Sequence, residues 1–225
     1  MAAIAACAVL TAALSPPTAR LACQQRARPV QLCDDSYESY EATPSPVKKL
    51  VSGLTAIVNS FGSAGAAEAA RAERTAYASA VSPSELLEGV RADYEERMYL
   101  WTGDIDPNIY DADCTFTDPT LSFSGLDQFQ RNIENLQPIL QRLVKDPVVE
   151  LYTCDLDESE RVVSATWRMK GDIALPWRPR IDLNGRTRFV YEPDAPAMGR
   201  ITEYIETWEI EAGDALMQLL RPFAY

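Results

Sequence analysis

The segment YDADCTFTDP, residues 110–119, decides the fold class of this chain. Its alternating pattern predicts a short strand at residues 113–118, because successive side chains of a strand point to opposite faces. Two threonines occupy one face, whereas the other face carries Cys114, Phe116 and Asp118. Proline cannot donate to a backbone ladder, so the strand should end at the Asp-Pro step. The segment therefore predicts a half-buried strand with a carboxylate at the end of its inward face.

A helix is predicted before this strand, beginning at Ser82. The sequence Ser82-Pro83-Ser84-Glu85 combines a Ser cap, Pro at the first helical position and Glu three residues after the cap. Apolar side chains then recur every three or four residues, at Leu87, Val90, Tyr94, Met98 and Trp101. We therefore predict one continuous helix that ends at Gly103 and buries a single face.

The residues after the strand predict a second helix and then a run of strands. Ser124-Gly125 is typical of a helix start, and Pro138 should kink or restart the helix that follows. Alternating stretches predict strand segments at 148–154, 161–170, 180–183, 186–192 and 200–210. Asn184-Gly185, between two of these segments, is typical of a tight hairpin turn. Two helices followed by antiparallel strands indicate an α+β domain.

This order of elements resembles the cone-shaped α+β fold of the nuclear-transport-factor-2-like, or SnoaL-like, superfamily. Residues 110–119 are similar to that superfamily's Y/F-x-D-D-x-x-F-x-D-P block, and Phe123-Ser124-Gly125-Leu126 is similar to its following helix start. More narrowly, residues 93–136 and 199–210 resemble an uncharacterised plant and algal plastid family within that superfamily. The resemblance covers roughly residues 84–221. It implies N-terminal helices packed on a curved, mainly antiparallel sheet, but a fold shared by many functions does not decide the activity.

The composition of the 225 residues excludes several classes of chemistry. The chain contains no histidine, which excludes a Ser-His-Asp or Cys-His nucleophile system and a His-ligated zinc. The five cysteines form no CxxC pair, and we expect neither a metal site nor a cofactor. The formal charge of −12 disfavours binding to phosphate backbones, so nucleic acid is not an expected partner.

The beginning of the chain differs from the rest in charge. Residues 1–33 contain three arginines and no acidic residue, and residues 2–14 form an apolar run too short to span a bilayer. We expect 1–33 to be a targeting peptide for a chloroplast or other plastid, with secretion as the rival interpretation. The mature chain should then lack an integral membrane segment. Residues 34–81 are predicted to be a linker with one amphipathic helix at 47–61, ahead of a domain at 82–221.

The isomerases of the resembled superfamily imply two catalytic candidates. The Asp of their Asp-Pro step removes a proton beside a carbonyl, and Asp118 occupies that position in this chain. Tyr94 is the candidate for the hydrogen bond to a developing oxyanion. The alternative roles are a turn-forming carboxylate for Asp118 and plain packing for Tyr94. A third element of those isomerases, a protonated Asp on a late strand, has no clear counterpart.

The candidate ligand-binding residues are side chains expected on the concave side of the sheet. They are Phe116, Trp167, Arg168, Tyr204, Glu206 and Trp208. Arg168 or Arg188 is the expected polar partner of Glu206. The alternatives are core packing for the aromatic side chains and a solvated ion pair for the charged ones.

Two functional hypotheses follow from these residues. The favoured one is a noncatalytic module that binds a small apolar molecule or a protein partner, with a homodimer through the sheet as one expected assembly. The alternative is a cofactor-free isomerase, lyase or cyclase that uses Asp118 as its general base. The lack of histidine and of a complete isomerase set favours the first hypothesis.

Overall fold

A computed structural model describes residues 37–60 and 79–222 of the chain, with side chains for all of these except 54–60. Its helices are α1 Ser45–Ser60, α2 Pro83–Glu95, α3 Tyr99–Thr102, α4 Leu126–Leu143 and α5 Ala212–Gln218. Its strands are β1 Tyr110–Thr117, β2 Ser122–Ser124, β3 Val144–Asp157, β4 Val162–Ile173, β5 Arg180–Glu192 and β6 Arg200–Trp208. The predicted targeting peptide, residues 1–33, lies outside the described residues.

The six strands form one curved, open sheet in the order β2-β1-β6-β5-β4-β3. Only β1 and β6 pair in parallel, and the other neighbours are antiparallel. The helix α2 packs on β3 and β4, and α4 packs on β1 and β2. The predicted α+β fold class, with helices on a mainly antiparallel sheet, is therefore confirmed.

The predicted start of α2 is confirmed in detail. Glu85 N–H donates to Ser82 Oγ at 3.3 Å, and Ser82 N–H donates to Glu85 Oε2 at 2.8 Å. These reciprocal bonds satisfy backbone donors that a helix start would otherwise leave unpaired. The predicted single helix up to Gly103 is wrong, because α2 ends at Glu95 and Met98 adopts a left-handed φ of 47°. The chain turns there, so α3 leaves at a new angle.

The second predicted helix differs from its expectation at its start. The helix α4 begins after Gly125, without a side-chain cap, and Ser124 Oγ instead bonds to Thr115 Oγ1 at 3.0 Å across the β1–β2 pair. Pro138 lies inside α4, which continues to Leu143, so the helix does not restart there. A kink at Pro138, the other expectation, stays a prediction.

The predicted hairpin at Asn184-Gly185 is wrong, because β5 runs straight through both residues. Gly185 lies under the indole of Trp167, and a Cβ atom at this position would come within 2.6 Å of the ring atom Cη2. The glycine therefore provides room for a buried aromatic ring rather than a turn. A hairpin turn and a close contact with an aromatic ring both favour glycine, so the residue alone does not distinguish between them.

Residues before the predicted domain also contact it. Glu38 N–H donates to Trp208 C=O at 2.6 Å, and Trp208 N–H donates back to Glu38 C=O at 3.1 Å. The predicted amphipathic helix corresponds to α1, which buries Val51 and packs on α4. The assignment of 34–81 as a linker stays a prediction. Within residues 37–60 and 79–222, no helix is long and apolar enough to span a membrane.

Candidate functional site

The helix-covered face of the sheet brings together most of the predicted ligand-binding residues. Trp167 on β4, Phe116 on β1 and the side chains of Tyr204, Glu206 and Trp208 on β6 are all buried there. The three β6 side chains share this face because an even number of positions separates them. Phe116 is paired with Tyr204, and Trp167 and Trp208 are both paired with Gly185, so the register brings all five to one face. Arg168 follows Trp167 and therefore lies on the opposite, outer face.

Hydroxyl groups from helices and strands meet at the centre of this face. Tyr94 OH donates to Thr187 Oγ1 at 2.9 Å, and Tyr99 OH donates to Tyr94 OH at the same distance. Trp167 Nε1 also donates to Thr187 Oγ1, again at 2.9 Å. Thr187, on β5, thus connects Tyr94 on α2 with Trp167 on β4.

The same chain of hydrogen bonds continues to a carboxylate. The hydroxyls of Tyr99 and Tyr204 lie 3.1 Å apart, and Tyr204 OH donates to Glu206 Oε2. Trp208 Nε1 donates to the other carboxylate oxygen, Oε1, at 2.6 Å. We call these seven side chains the inner polar chain: Trp167, Thr187, Tyr94, Tyr99, Tyr204, Glu206 and Trp208.

Burial fixes the protonation state of the phenols in the inner polar chain. Loss of water raises the pKa of Tyr94, Tyr99 and Tyr204 well above the ordinary value of 10.0. The nearby charge of Glu206 raises the pKa of all three further. At neutral pH the three phenols therefore stay protonated and remain hydrogen-bond donors.

Phe116 belongs to an aromatic cluster beside the inner polar chain. Its ring stacks on Phe129 at 4.6 Å, on Phe123 at 5.6 Å and on Tyr110 at 5.9 Å between centroids. Tyr204 lies 5.6 Å away in a tilted arrangement. These contacts join β1, β2, α4 and β6 into one apolar wall.

The two predicted catalytic residues have separate hydrogen-bond partners. Asp118 is 7% exposed, and its Oδ1 accepts hydrogen bonds from Thr120 N–H at 2.8 Å, Thr120 Oγ1 at 2.7 Å and Leu121 N–H at 3.0 Å. These donors all belong to the turn between β1 and β2. Tyr94 bonds to Thr187 and Tyr99 at the centre of the inner face. The contacts described for Asp118 are those of a turn-forming carboxylate.

The expected pairing of Glu206 with Arg168 or Arg188 is wrong. Arg168 makes a two-pronged ion pair with Asp182, at 2.7 and 2.8 Å, and lies 3.7 Å from Glu150. All three side chains are on the outer face, whereas Glu206 bonds to aromatic donors inside. Arg188 lies opposite Ser164 in the ladder, also on the outer face.

Sequence reasoning missed two members of the inner polar chain. Tyr99 lies outside the predicted helical stripe, and only the break at Met98 turns it inward beside Tyr94. The predicted hairpin interrupts the alternation of residues along β5, so the sequence pattern gives Thr187 no role. A continuous strand would have placed Thr187 on the same face as Leu183 and Phe189.

The described residues, 37–60 and 79–222, contain no group of three Cys, Asp or Glu side chains arranged to hold a metal ion. Cys114 and Cys154 are free thiols on β1 and β3. Burial raises the pKa of Cys154 to about 11, so this thiol is protonated at neutral pH.

Solved structures similar to this chain are proteins with a nuclear-transport-factor-2-like fold. An NTF2-like protein from Burkholderia thailandensis is 14% identical, with a TM-score of 0.42 over 60% of this chain and 98% of that chain. A protein assigned as a SnoaL-like polyketide cyclase from a Jannaschia species is 13% identical, with a TM-score of 0.44 over 64% and 98%. A hypothetical protein with a ketosteroid isomerase-like fold from Catenulispora acidiphila is 18% identical, with a TM-score of 0.38 over 61% and 94%.

Residues 84–197 match the family described as "Uncharacterized conserved protein (DUF2358)". The match spans just over half of the 225 residues, and the chain belongs to this family. A comparison with curated proteins found no match.

Proposed function

We propose that the domain is a noncatalytic interaction module that assembles through its sheet. One observation carries this proposal: the polar side chains inside the fold bond to one another. A catalytic or ligand-binding group must have a polar atom within hydrogen-bond reach of the bound molecule. The hydroxyls of Tyr94 and Tyr204 and both oxygens of Glu206 already have protein partners. The inner polar chain therefore acts as a structural core that holds the sheet in one shape.

The outer face of the sheet offers the surface for a partner. Val148 and Tyr152 on β3 are 40% and 46% exposed. Beside them, Tyr152 OH donates to Glu150 Oε2 at 3.3 Å, and Arg168 lies between Glu150 and Asp182. Exposed apolar groups next to charges of both signs suit a two-fold interface, in which the same patch meets itself. A second copy of this chain is the partner that we propose.

Sedimentation velocity of the full chain over a concentration series tests this proposal. We expect the wild type to dimerise and Val148→Ser/Tyr152→Ser to raise the dissociation constant by about tenfold or more. Leu50→Ser is the matched control, because Leu50 is 52% exposed on α1, away from the sheet. A wild type that stays monomeric at every concentration contradicts the assembly. A small molecule that co-purifies in native mass spectrometry contradicts the purely structural role of the interior.

We also propose that the protein is targeted to a plastid and loses residues 1–33. The support is the acid-free composition of that segment, with three arginines and an apolar run at its beginning. Sequencing the N-terminus of protein purified from cells should give a start near residue 34. Recovery of Met1 or Ala2 would contradict the cleavage, and import into isolated plastids separates this destination from secretion.

A further inference from the structure

The joint between α2 and α3 determines whether the inner polar chain is continuous. Residues 96–98 separate the two helices, and Met98 turns the chain with its φ of 47°. Tyr94 lies before this joint and Tyr99 lies after it, yet their hydroxyls are 2.9 Å apart. The distance between these hydroxyls therefore depends on the angle of the joint.

A buried carboxylate, Asp93, connects this joint to the strand that follows. Asp93 is 1% exposed, and its Oδ1 accepts from Arg97 Nη1 at 3.1 Å and from Asp106 N–H at 2.9 Å. Its Oδ2 accepts from Tyr110 OH at 3.3 Å. One carboxylate thus contacts the joint, the loop before β1 and the beginning of β1.

Loss of water is the largest influence on the pKa of Asp93, and the groups that face this carboxyl act on its pKa in opposite directions. Arg97 from the joint, the Asp106 N–H from the loop and the Tyr110 hydroxyl from β1 favour the ionised form. The carboxylate of Asp106 disfavours it, but loss of water is the largest cause. Together they raise the pKa of Asp93 from 3.8 to about 7.

We propose that Asp93 is a proton-sensitive switch for the joint that places Tyr99 in the inner polar chain. When Asp93 is ionised, its carboxylate attracts the Arg97 guanidinium and fixes residues 96–98. When it takes up a proton, that ion pair is lost and Arg97, whose side chain is 32% exposed, turns to water. The joint then relaxes, and the contact between Tyr99 and Tyr94 changes with it. Protonation of one carboxylate on α2 thus changes the hydrogen bonds in the interior of the domain.

The composition of the chain makes this switch measurable. Histidine is the side chain that ordinarily titrates near neutral pH, and the 225 residues contain none. The α-amino group, with a pKa of about 7.7, and the thiols of Cys7, Cys23 and Cys33, with an ordinary pKa of about 8.5, are the background in this range. The cysteines and tyrosines of the inner face have a raised pKa and stay protonated there.

Near-UV circular dichroism of the full chain between about pH 5 and 9 measures the tyrosine environment and tests the proposal. We expect a one-proton transition with a midpoint near 7 in the wild type and its loss in Asp93→Asn. Asp104→Asn is the matched control, since this exposed carboxylate lies in the same segment and its variant should keep the transition. Arg97→Gln removes the cation that favours the ionised form and should move the midpoint upward by about half a pH unit.

Thermal unfolding at several pH values tests the direction in which the protonation of Asp93 changes the stability of the fold. The pKa of Asp93 is higher in the folded chain than its ordinary value, so its contribution to stability is full below pH 3.8 and is lost as the pH rises through about 7. The wild type should therefore melt at a lower temperature above this pH, and Asp93→Asn should show a smaller difference.

Four results would overturn the proposal. The first is a tyrosine signal that does not change with pH, and the second is a transition that persists in Asp93→Asn. The third is a full transition in Tyr99→Phe, which would place the change away from the joint. The fourth applies if Asp93→Asn does not fold: an Arg97→Gln midpoint that equals that of the wild type.

Discussion

The inner and outer faces of the sheet both carry hydrogen-bonded polar side chains. They differ in whether water can replace a hydrogen-bond partner that is lost. Inside, Glu206 accepts from two aromatic donors, and all three residues are at most 4% exposed. Outside, Arg168 and Asp182 form a two-pronged ion pair, with 33% and 41% of their side chains exposed. Water can take over either partner of the outer pair, whereas it cannot reach the inner one. The same kind of bond therefore specifies the shape of the fold on one face and remains available for recognition on the other.

The inner face should show the largest effect of a single substitution. Glu206→Ala leaves the Tyr204 hydroxyl and the Trp208 indole N–H without their acceptors in a buried position and opens a void. We expect it to lower the free energy of unfolding by about 4 kcal/mol. Urea denaturation measures this loss, and Asp182→Ala on the outer face is the control. Equal losses in the two variants would contradict the distinction between the faces.

The packing of the inner face should also be sensitive to a single added methyl group. Gly185→Ala places a Cβ atom against the indole of Trp167, which is buried on all sides. The ring must move, so we expect a loss of about 2 kcal/mol in thermal or urea unfolding. Gly213→Ala on α5 is the matched control, because nothing lies within 4 Å of its added atom. A Gly185→Ala chain as stable as the control would show that the ring moves freely.

Gly185 also illustrates what a sequence can and cannot predict. The capped start of α2 was predictable because the signal is local: Ser82 and Glu85 bond to each other three residues apart. The role of Gly185 was not predictable, since its reason is a ring 18 positions earlier in the chain, on another strand. Asn184 is also explained by a distant contact, because its Nδ2 donates to Glu209 at 2.8 Å. Local rules correctly located the helix start and misassigned the strand because they contain no information on pairing.

The candidate site shows the same division. Alternation along β4 and β6 was sufficient to select Trp167 and Glu206 as side chains of one face. The partners of Glu206 are its neighbours on the same face of β6, Tyr204 and Trp208. The further link from Tyr204 to Tyr99 depends on the break at Met98, which no propensity predicts. Charge matching suggested an arginine, but a buried carboxylate can equally be satisfied by neutral donors.

Asp118, in the turn between β1 and β2, should show an intermediate effect. As a turn-forming carboxylate it accepts charge-assisted bonds from Thr120 and Leu121, so Asp118→Asn should cost about 1 kcal/mol of stability. Thermal unfolding measures this cost, and self-association should not change. Thr120→Val removes one donor to the same oxygen and is the control. Unchanged or increased stability in Asp118→Asn would instead fit a desolvated base and reopen the enzyme hypothesis.

The smallest effect on stability is expected for the outer ion pair. If the protein dimerises through this face, that effect should depend on the protein concentration. Arg168→Met should cost at most about 1 kcal/mol in dilute protein, because the pair is partly exposed and salt screens it over about 8 Å. If a second copy covers Val148 and Tyr152, the neighbouring Arg168 loses water in the dimer, and its removal leaves Asp182 poorly paired. The cost should then rise with protein concentration, whereas that of Glu206→Ala should not. Urea unfolding at two concentrations measures this difference. An equal cost at both would place Arg168 outside any interface, while leaving the structural role of the inner face intact.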